Sequence, residues 1–323
     1  MTRSVAIIGA GQIAYAVAAA FVTAGWRTRI LARNAPAWQV EDARYIRYVA
    51  GDDAPPSADA IVDTIAFDDG DVTRYDPLHV GRLIVVSSAS VYCDEHGRTL
   101  DEAAQNGFPR FGEALFEDCA TVEPGPQTYS TRKVRMERAA LARFGKQVTI
   151  LRPCAVYGPW SRHPREWWFV KRLLDRRDRI PLFLSGASRF HTTDVADIAG
   201  LALHAATHSA EGVYNIGDQT GSDVRTVGET IAAVMGREVL FVDAGGEGLV
   251  GRTPWSVPRP FLIDSAKAMV DGYTPAATYS PQAAVQWLAD HASGGWRAAF
   301  PQLAAYPYDL FDYDAEDRFF SSH

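Results

Sequence analysis

Tyr129 and Lys133, four positions apart, have the residue types and spacing needed to exchange a proton with a carbonyl or an alcohol. They lie in the segment TYSTRKVRMERAAL, whose pattern predicts a helix, and residues four apart share one helix face. A free tyrosine has a pKa near 10, but an ammonium about 4 Å away contributes on the order of 4 kcal/mol at an effective dielectric constant of 20. We therefore expect Lys133 to lower the pKa of Tyr129 toward neutrality, so that Tyr129 acts as an acid/base.

Ser88 is the third residue with a predicted chemical role. It lies in LIVVSSASVY, which predicts a buried strand ending in hydroxyl residues. In an open parallel sheet the ligand crevice lies at the carboxyl ends of the strands. We therefore expect Ser88 to donate a hydrogen bond to a substrate oxygen.

A glycine-rich segment, IIGAGQIA, predicts a site for a dinucleotide cofactor. Gly9, Gly11 and Ala14 have the G-x-G-x-x-A spacing between a short β-branched strand and an alanine-rich helix. The unpaired N–H groups of the first helical turn, which includes Gln12 and Ile13, attract a pyrophosphate together with the helix dipole.

The end of the second predicted strand, LARN, bears on which nicotinamide cofactor is bound. An acidic residue there accepts the ribose hydroxyls of NAD, whereas a cation suits the 2′-phosphate of NADP. Ala32 stands where the acid is expected and Arg33 and Asn34 follow, so the sequence favours NADP and leaves NAD as the alternative. Asp52, after the third predicted strand, is either an adenine contact or a turn aspartate. Lys133 is expected in addition to hold the nicotinamide ribose.

Composition excludes several classes of protein. The 323 residues are 47% apolar and 22% charged, with a net charge of -7 and no basic block, so no nucleic-acid partner is expected. Cys93, Cys119 and Cys154 have no CxxC spacing, so neither a disulfide framework nor a metal site is predicted. The apolar opening segment imitates a signal peptide or a membrane span, but glycines interrupt it. We expect a cytoplasmic protein that does not associate with membranes.

Six segments together resemble a known family. IIGAGQIA, VSSASVY, YSTRK, LRPCAVYGP, RFHTTDVADIAGLAL and GVYNIGD occur in the order found in the extended, atypical short-chain dehydrogenase/reductases of the NAD-dependent epimerase/dehydratase family. The resemblance implies an α/β fold, a Rossmann-like doubly wound parallel sheet with a smaller C-terminal substrate lobe. It also implies that Ser88, Tyr129 and Lys133 form the Ser-Tyr-Lys set and that Pro153 and Val156 lie against the nicotinamide.

The predicted organisation follows from the same resemblance and from the alternation of strands and helices. Residues 1–158 are expected to form the dinucleotide-binding domain, with a crossing segment around 190–205, and residues 159–323 mainly the substrate-binding lobe. The long region 93–126 predicts a flap over the site or a surface excursion without a role. Many family members are dimers, which implies a homodimer here.

The family resemblance leaves three activities open. Dehydratases of this family carry an Asp-Glu pair where this chain has Ala89 and Ser90, so dehydration is not expected. We expect hydride transfer between a nicotinamide and a small molecule that carries a carbonyl or a secondary alcohol. The alternatives are a nucleotide-sugar epimerase that acts through a transient ketone with retained NAD, and a non-catalytic NADP sensor. The candidate substrate contacts are Ser90, Tyr92, Arg189 and Trp167. Arg189 lies two residues after the place expected for a diphosphate-binding arginine, and the pattern around Trp167 favours a core position over a substrate contact.

Overall fold

The computed structural model describes residues 2–112, 114–291 and 295–322, which divide into two compact units. The first unit consists of the described residues of 1–156, 193–219 and 263–276, and the second of those of 157–192, 220–262 and 277–323. The first unit therefore includes segments from the C-terminal half of the chain. Strands and helices are numbered below in chain order.

A seven-stranded parallel sheet forms the centre of the first unit. Its strands are β1 (Ser4–Ile8), β2 (Arg27–Ala32), β3 (Ala43–Arg47), β4 (Ala58–Asp63), β5 (Val80–Val86), β6 (Val148–Pro153) and β10 (Gly212–Ile216). Their spatial order is β10-β6-β5-β4-β1-β2-β3, and every neighbouring pair is parallel. This order confirms the predicted Rossmann-like sheet. The strand order reverses between β1 and β4, and ligands of such sheets bind at that point, outside the carboxyl ends of the strands.

Helices cover both faces of this sheet. On one face α1 (Gln12–Thr23) packs against α6 (Val195–His208), and on the other α2 (Asp69–Thr73) packs against α4 (Tyr129–Phe144). Because both faces are covered, strands at the centre of the sheet are mainly apolar, and all five residues of β1 are buried. The remaining elements of this unit are α3 (Ala103–Asn106), α8 (Ala266–Val270) and the short strands β7 (Ala155–Tyr157) and β9 (Thr192–Asp194), at which the chain leaves and re-enters the unit.

The apolar opening segment folds as the predicted strand, glycine turn and helix. Gly25 ends α1 with a φ of 77°, a conformation that glycine adopts without strain. The N–H groups of Gly25 and Trp26 donate to the carbonyls of Val22 and Phe21, which satisfies the last turn of the helix. Among the described residues, no helix is long and apolar enough to cross a membrane.

The second unit is mainly helical. Its strands β8 (Arg179–Leu182) and β11 (Leu240–Asp243) form a two-stranded parallel sheet. Helix α5 (Trp167–Leu174) packs against α7 (Val224–Val234) and α9 (Gln282–His291). The other helices are α10 (Trp296–Ala299), α11 (Pro301–Ala304) and α12 (Tyr313–Ser322). Arg172 of α5 is buried and donates two hydrogen bonds to the Glu316 carboxylate, so α12 is fastened to the core of this unit.

Candidate active site

The glycine turn after β1 has no room for a side chain at Gly9. Its φ is 117°, and a Cβ at this position would lie 2.3 Å from Thr64 Oγ1. Thr64 is held in place because its hydroxyl and its N–H both donate to the carbonyl of Ile8, at 2.8 and 3.0 Å. The turn after β4 therefore supports the turn after β1 at the point where the strand order reverses.

The N-terminus of α1 fits the phosphates of a dinucleotide. Gly11 is the N-cap residue, no side chain caps the first turn, and no atom lies within 4 Å of a Cβ built on Gly11. Gln12 and Ile13 form the first turn, and Gln12 Oε1 is buried without a hydrogen-bond partner among the described residues. Ala14 is fully buried, as close packing of this helix on the sheet requires. A phosphate would provide acceptors for the N–H groups of this turn.

The predicted adenosine contacts lie near the carboxyl ends of β2 and β3. Arg33 and Asn34 follow β2 and are exposed, so both can meet a ligand. Asp52 is exposed in a turn beyond β3, which ends at Arg47. The neighbouring Asp53, rather than Asp52, binds the backbone here: its carboxylate accepts the N–H of Val49 at 2.6 Å.

Trp38 supports the glycine turn and was not anticipated from the sequence. Its indole N–H donates to the carbonyl of Ala10 at 3.0 Å, and its ring meets Tyr15 edge to face, with centroids 5.5 Å apart. The side chain is 3% exposed, so it forms part of the wall beside the turn. A lone tryptophan between β2 and β3 gives no sequence signal that distinguishes this contact from ordinary core packing.

The three residues predicted to do chemistry lie together in the first unit. Ser88 follows β5 and is half-buried, and its Oγ accepts the N–H of Ser90 at 3.1 Å. Tyr129 is the first residue of α4, and a side-chain hydrogen bond joins it to Ser88. Thr128 caps this helix by accepting the N–H of Thr131 at 3.2 Å, which fixes the start of α4 at Tyr129.

Lys133 is buried and donates to two backbone carbonyls. Its Nζ lies 2.6 Å from Ala66 O and 2.9 Å from Val86 O, and the residue is 5% exposed. Burial lowers the pKa of Lys133 to about 8, although the charges of Asp63, Glu137 and Asp71 oppose this change. An ammonium has three N–H donors, so one remains for a ligand.

The expected effect of Lys133 on Tyr129 is not found. Tyr129 is 44% exposed as a whole residue, but its phenol is largely buried. This burial raises the pKa of Tyr129 above its ordinary value. The hydrogen bond from Ser88 lowers this pKa, and the negative charge of Asp101 raises it. Lys133 is directed at backbone carbonyls, with its Nζ 5.6 Å from the centre of the Tyr129 ring. Lys133 and Tyr129 lie four residues apart on α4 as predicted, but the Lys133 ammonium does not pair with the Tyr129 phenol oxygen.

Asp63, which was not predicted from the sequence, builds the turn that positions the Ala66 carbonyl. Its carboxylate is completely buried and accepts the N–H groups of Ile65 and Ala66 at 3.0 and 2.8 Å and the hydroxyl of Tyr75 at 2.7 Å. Burial raises the pKa of Asp63, although these hydrogen bonds act to lower it. An acidic residue that ends the apolar run ADAIVD was the available signal, because a carboxylate there must find donors.

Two predicted substrate contacts in the first unit have structural partners. Tyr92 is completely buried, its hydroxyl donates to Asn215 Oδ1 at 2.7 Å, and the guanidinium of Arg152 lies 4.9 Å from its ring centre. This corrects the expectation for Tyr92, which is a core residue. Ser90 is half-buried, and its Oγ is 3.0 Å from Ser130 Oγ.

Pro153 and Val156 lie in and directly after β6. Pro153 ends β6 and pairs with Ile216 of β10, and Val156 is half-buried in β7. Between them the N–H of Cys154 donates to Thr193 Oγ1 at 3.0 Å. This bond holds the segment that is expected to lie against the nicotinamide.

Two further candidates lie in the second unit. Arg189 lines a cavity of about 450 Å³ together with Arg259, and its Nε donates to Gly221 O at 2.9 Å. Trp167 is 4% exposed and meets Phe300 edge to face, with ring centroids 5.7 Å apart. Trp167 is therefore a core residue, which corrects its expected role as a substrate contact.

The insertion 93–126 is held together by its own hydrogen bonds and is bound to the sheet. Near its start, the buried Asp94 carboxylate accepts the N–H groups of His96, Arg98 and Arg110 at 2.9 to 3.0 Å and pairs with the Arg98 guanidinium at 2.7 Å. Burial alone would raise the pKa of Asp94, but these donors outweigh it and hold the pKa well below its usual range.

Asn215 of β10 binds the later part of the insertion. Its N–H donates to Glu117 Oε1 and its Nδ2 to Leu115 O, both at 2.8 Å. Arg152 of β6 also donates to the Glu117 carbonyl at 3.3 Å. The insertion is therefore fastened to the sheet.

Part of the sequence matches a known family, and the fold matches solved structures. Residues 71–217 match the model of the NAD dependent epimerase/dehydratase family, which confirms the family resemblance of the sequence. No curated protein sequence matches the chain. No group of three or more His, Cys, Asp or Glu residues in the described part of the chain could hold a metal ion.

Solved structures share this fold at low sequence identity. UDP-N-acetylglucosamine 4-epimerase from Methanobrevibacter ruminantium M1, in complex with UDP-N-acetylmuramic acid, aligns with a TM-score of 0.66 and 16% identity over 90% of this chain and 99% of that chain. Bordetella bronchiseptica WbmH, in complex with NAD⁺, aligns with a TM-score of 0.65 and 15% identity over 90% and 99%. Bacillus anthracis dTDP-glucose 4,6-dehydratase, in complex with NAD, aligns with a TM-score of 0.62 and 17% identity over 90% and 98%. At these identities the likeness concerns the fold alone.

Proposed function

We propose that the protein is an NADP-dependent oxidoreductase that transfers hydride between the nicotinamide and a small molecule carrying a carbonyl or a secondary alcohol. The observation that carries this proposal is the half-exposed Tyr129, hydrogen-bonded to Ser88 and four residues before the buried Lys133 on α4. The glycine turn at Gly9 and Gly11 and the uncapped start of α1 fit the cofactor.

In this proposal each of the three residues has a separate role. The nicotinamide supplies or accepts the hydride when it is bound. Ser88 donates a hydrogen bond to the substrate oxygen, and Tyr129 gives that oxygen a proton during reduction or removes one during oxidation. Lys133 uses its third N–H to bind the nicotinamide ribose. Because the pKa of Tyr129 is raised, the phenol is protonated at neutral pH, which suits the acid needed for carbonyl reduction.

The residues after Ser88 argue against dehydration. Elimination of water needs an additional acid and base beside the sugar, and Ala89 and Ser90 supply no carboxylate. Ala89 is also buried, and Ser90 is engaged with Ser130.

Arg33 supports NADP as the cofactor. It is exposed directly after β2, where a guanidinium can bind a 2′-phosphate through two hydrogen bonds. NAD remains the alternative cofactor, since the WbmH and dehydratase structures contain NAD.

A nucleotide-sugar epimerase with retained NAD is the second candidate function. The observation in its favour is the pair of arginines, Arg189 and Arg259, that line the 450 Å³ cavity of the second unit. Two guanidinium groups suit a diphosphate.

The proposal includes a cytoplasmic location and a homodimer. Cys93, Cys119 and Cys154 are not joined in disulfides, which suits the reducing cytoplasm. Family resemblance is the support for a homodimer, and light scattering on the purified protein tests it.

The deciding experiment is to denature freshly purified protein and to quantify the nicotinamide nucleotide that it releases. We expect little release, followed by tighter binding of NADPH than of NADH in a fluorescence titration and turnover in a screen of carbonyl compounds. Near-stoichiometric NAD would contradict the NADP assignment and favour the epimerase. Binding of neither cofactor would contradict both candidate functions.

A further inference from the structure

The insertion contacts the catalytic helix through Asp101. Asp101 Oδ2 accepts the backbone N–H of Ser130 at 2.7 Å, and Ser130 is the residue that follows Tyr129. This N–H belongs to the first turn of α4, where a carboxylate also interacts favourably with the helix dipole. Asp101 therefore acts at the position from which Tyr129 projects.

Ser130 is also bound from the side of β5. It is completely buried, and its Oγ lies 2.8 Å from Ser90 O and 3.0 Å from Ser90 Oγ. Ser130 is thus held by the insertion through its backbone N–H and by the turn after β5 through its hydroxyl. The backbone of Tyr129 is correspondingly restricted.

The insertion is anchored well enough to transmit this contact. Asp94 ties Arg98, before Asp101, to Arg110, after it, and Asn215 of β10 binds Leu115 and Glu117. A carboxylate on a freely moving loop would not define one position for a helix terminus, whereas this one lies in a segment that is held by its own hydrogen bonds and bound to β10.

We propose that Asp101 is a positioning residue for Tyr129, and that the insertion serves to place this carboxylate at the start of α4. This inference rests on the proposed function, because it assigns Asp101 to the reaction in which Tyr129 exchanges the proton.

The groups around Tyr129 support an electrostatic effect of Asp101. The insertion contributes the Asp101 carboxylate, α4 contributes the Lys133 ammonium at 5.6 Å from the ring centre, and the segment after β4 contributes the uncharged Phe67 ring at 5.5 Å. The Asp101 charge raises the pKa of Tyr129. A purely structural helix cap would act through the hydrogen bond alone and would not need this charge.

Three variants separate the charge from the hydrogen bond. Asp101→Asn keeps an acceptor for the Ser130 N–H and removes the charge, whereas Asp101→Ala removes both. Glu102→Gln removes the neighbouring negative charge and serves as the matched control. The full-length, cofactor-free protein is labelled with [ζ-13C]tyrosine, and the Tyr129 signal is identified by its absence in Tyr129→Phe. NMR then gives the ionised fraction of Tyr129 at pH 10 and the exchange rate of the Ser130 amide proton.

We expect both Asp101 variants to increase the ionised fraction of Tyr129, and Glu102→Gln to leave it at the wild-type value. Exchange of the Ser130 amide should accelerate about tenfold in Asp101→Ala and remain near the wild-type rate in Asp101→Asn. Equal Tyr129 ionisation in Asp101→Asn and the wild type overturns the inference, and so does an equal effect of Glu102→Gln. If Asp101→Ala does not fold, Asp101→Asn still decides the question.

This measurement is independent of the proposed function. The titration uses no cofactor or substrate, so failure to bind NADP leaves its outcome interpretable. Conversely, the wild type could turn over carbonyl compounds while Asp101→Asn leaves the ionisation of Tyr129 unchanged. That result would support the proposed function and overturn the role of Asp101.

Discussion

The ammonium of Lys133 on α4 donates a hydrogen bond of 2.6 Å to the carbonyl oxygen of Ala66 in the turn after β4. The same turn contains Thr64, which leaves no room for a side chain at Gly9. One short turn is therefore shared by the two parts of the proposed cofactor site, the glycine turn and the buried lysine. Substitutions in either part test this arrangement.

Lys133→Met should change how the stability of the protein depends on pH. The pKa of Lys133 is about 8 in the folded protein, below its ordinary value of 10.5. Because the unfolded chain binds the extra proton between these two pKa values, the lysine makes the folded state more stable as the pH rises through that range. Between pH 7 and pH 10 this contribution is about 2.5 kcal/mol, which Lys133→Met should abolish in urea unfolding measured at both pH values.

Lys146→Met is the matched control for this measurement. The side chain of Lys146 is 89% exposed, so its removal should leave the pH dependence of the wild type unchanged. An identical pH dependence in Lys133→Met and Lys146→Met would show that the ammonium of Lys133 is not buried as described.

Gly9→Ala and Gly11→Ala should separate folding from cofactor binding. At Gly9 a Cβ meets Thr64 Oγ1 at 2.3 Å with φ at 117°, so Gly9→Ala should lower the melting temperature by several degrees. At Gly11 the space is open, so Gly11→Ala should melt within about 2 °C of the wild type. It should nevertheless weaken cofactor binding about tenfold or more, since its methyl group occupies the approach to the phosphates. Calorimetry and fluorescence titration measure the two effects, and tight cofactor binding by Gly11→Ala would contradict the assigned phosphate site.

Arg33→Ser should weaken binding of NADPH about tenfold or more and leave binding of NADH within about twofold of the wild type. The reason is that only NADPH carries the 2′-phosphate. Arg44→Ser, which removes another exposed arginine from the adjoining strand β3, should affect neither cofactor. Titrations at one fixed salt concentration compare the three proteins, and an equal loss of NADPH affinity in both variants would refute a specific contact with Arg33.

Asp94→Ala should destabilise the first unit at neutral pH by about 2 to 4 kcal/mol, because it leaves an arginine and three backbone N–H groups without their acceptor. The pKa of Asp94 is held below its ordinary value in the folded protein. Its stabilising effect is therefore present above about pH 4 and is lost as the pH falls further. Urea unfolding should show the wild type and Asp94→Ala converging at low pH. Glu95→Ala, at a side chain that is 84% exposed, should match the wild type throughout.

The sequence was informative wherever local geometry dictates residue type. Gly9 and Gly25 adopt positive φ, and Ala14 packs without exposed surface, so a small set of residues predicted the start of the sheet. The spacing of Tyr129 and Lys133 likewise predicted one face of α4. The family resemblance then implied a doubly wound parallel sheet.

Other features depend on contacts between distant segments, which spacing does not encode. Asp63 binds Tyr75, Asp101 binds Ser130, and Tyr92 binds Asn215, each across a loop or the sheet. For the same reason the sign of the Tyr129 pKa shift was wrong. Lys133 was expected to face the phenolate, but its proton donors are directed at the carbonyls of Ala66 and Val86. Residue types and spacing were enough to identify Tyr129 and Lys133. Their pKa values depend on the backbone carbonyls and burial around them, which the spacing does not show.

The place of β10 at the edge of the central sheet has a consequence for synthesis on the ribosome. β6 ends at Pro153, but its partner β10 begins only at Gly212, after the whole intervening segment has been made. At ordinary translation rates this takes roughly 3 to 12 s, during which the outer edge of β6 has no native strand beside it. An uncovered edge of this kind pairs readily with other chains. Aggregation of the nascent chain is therefore most favoured in this interval, and pausing of the ribosome within it should lower the yield of folded protein.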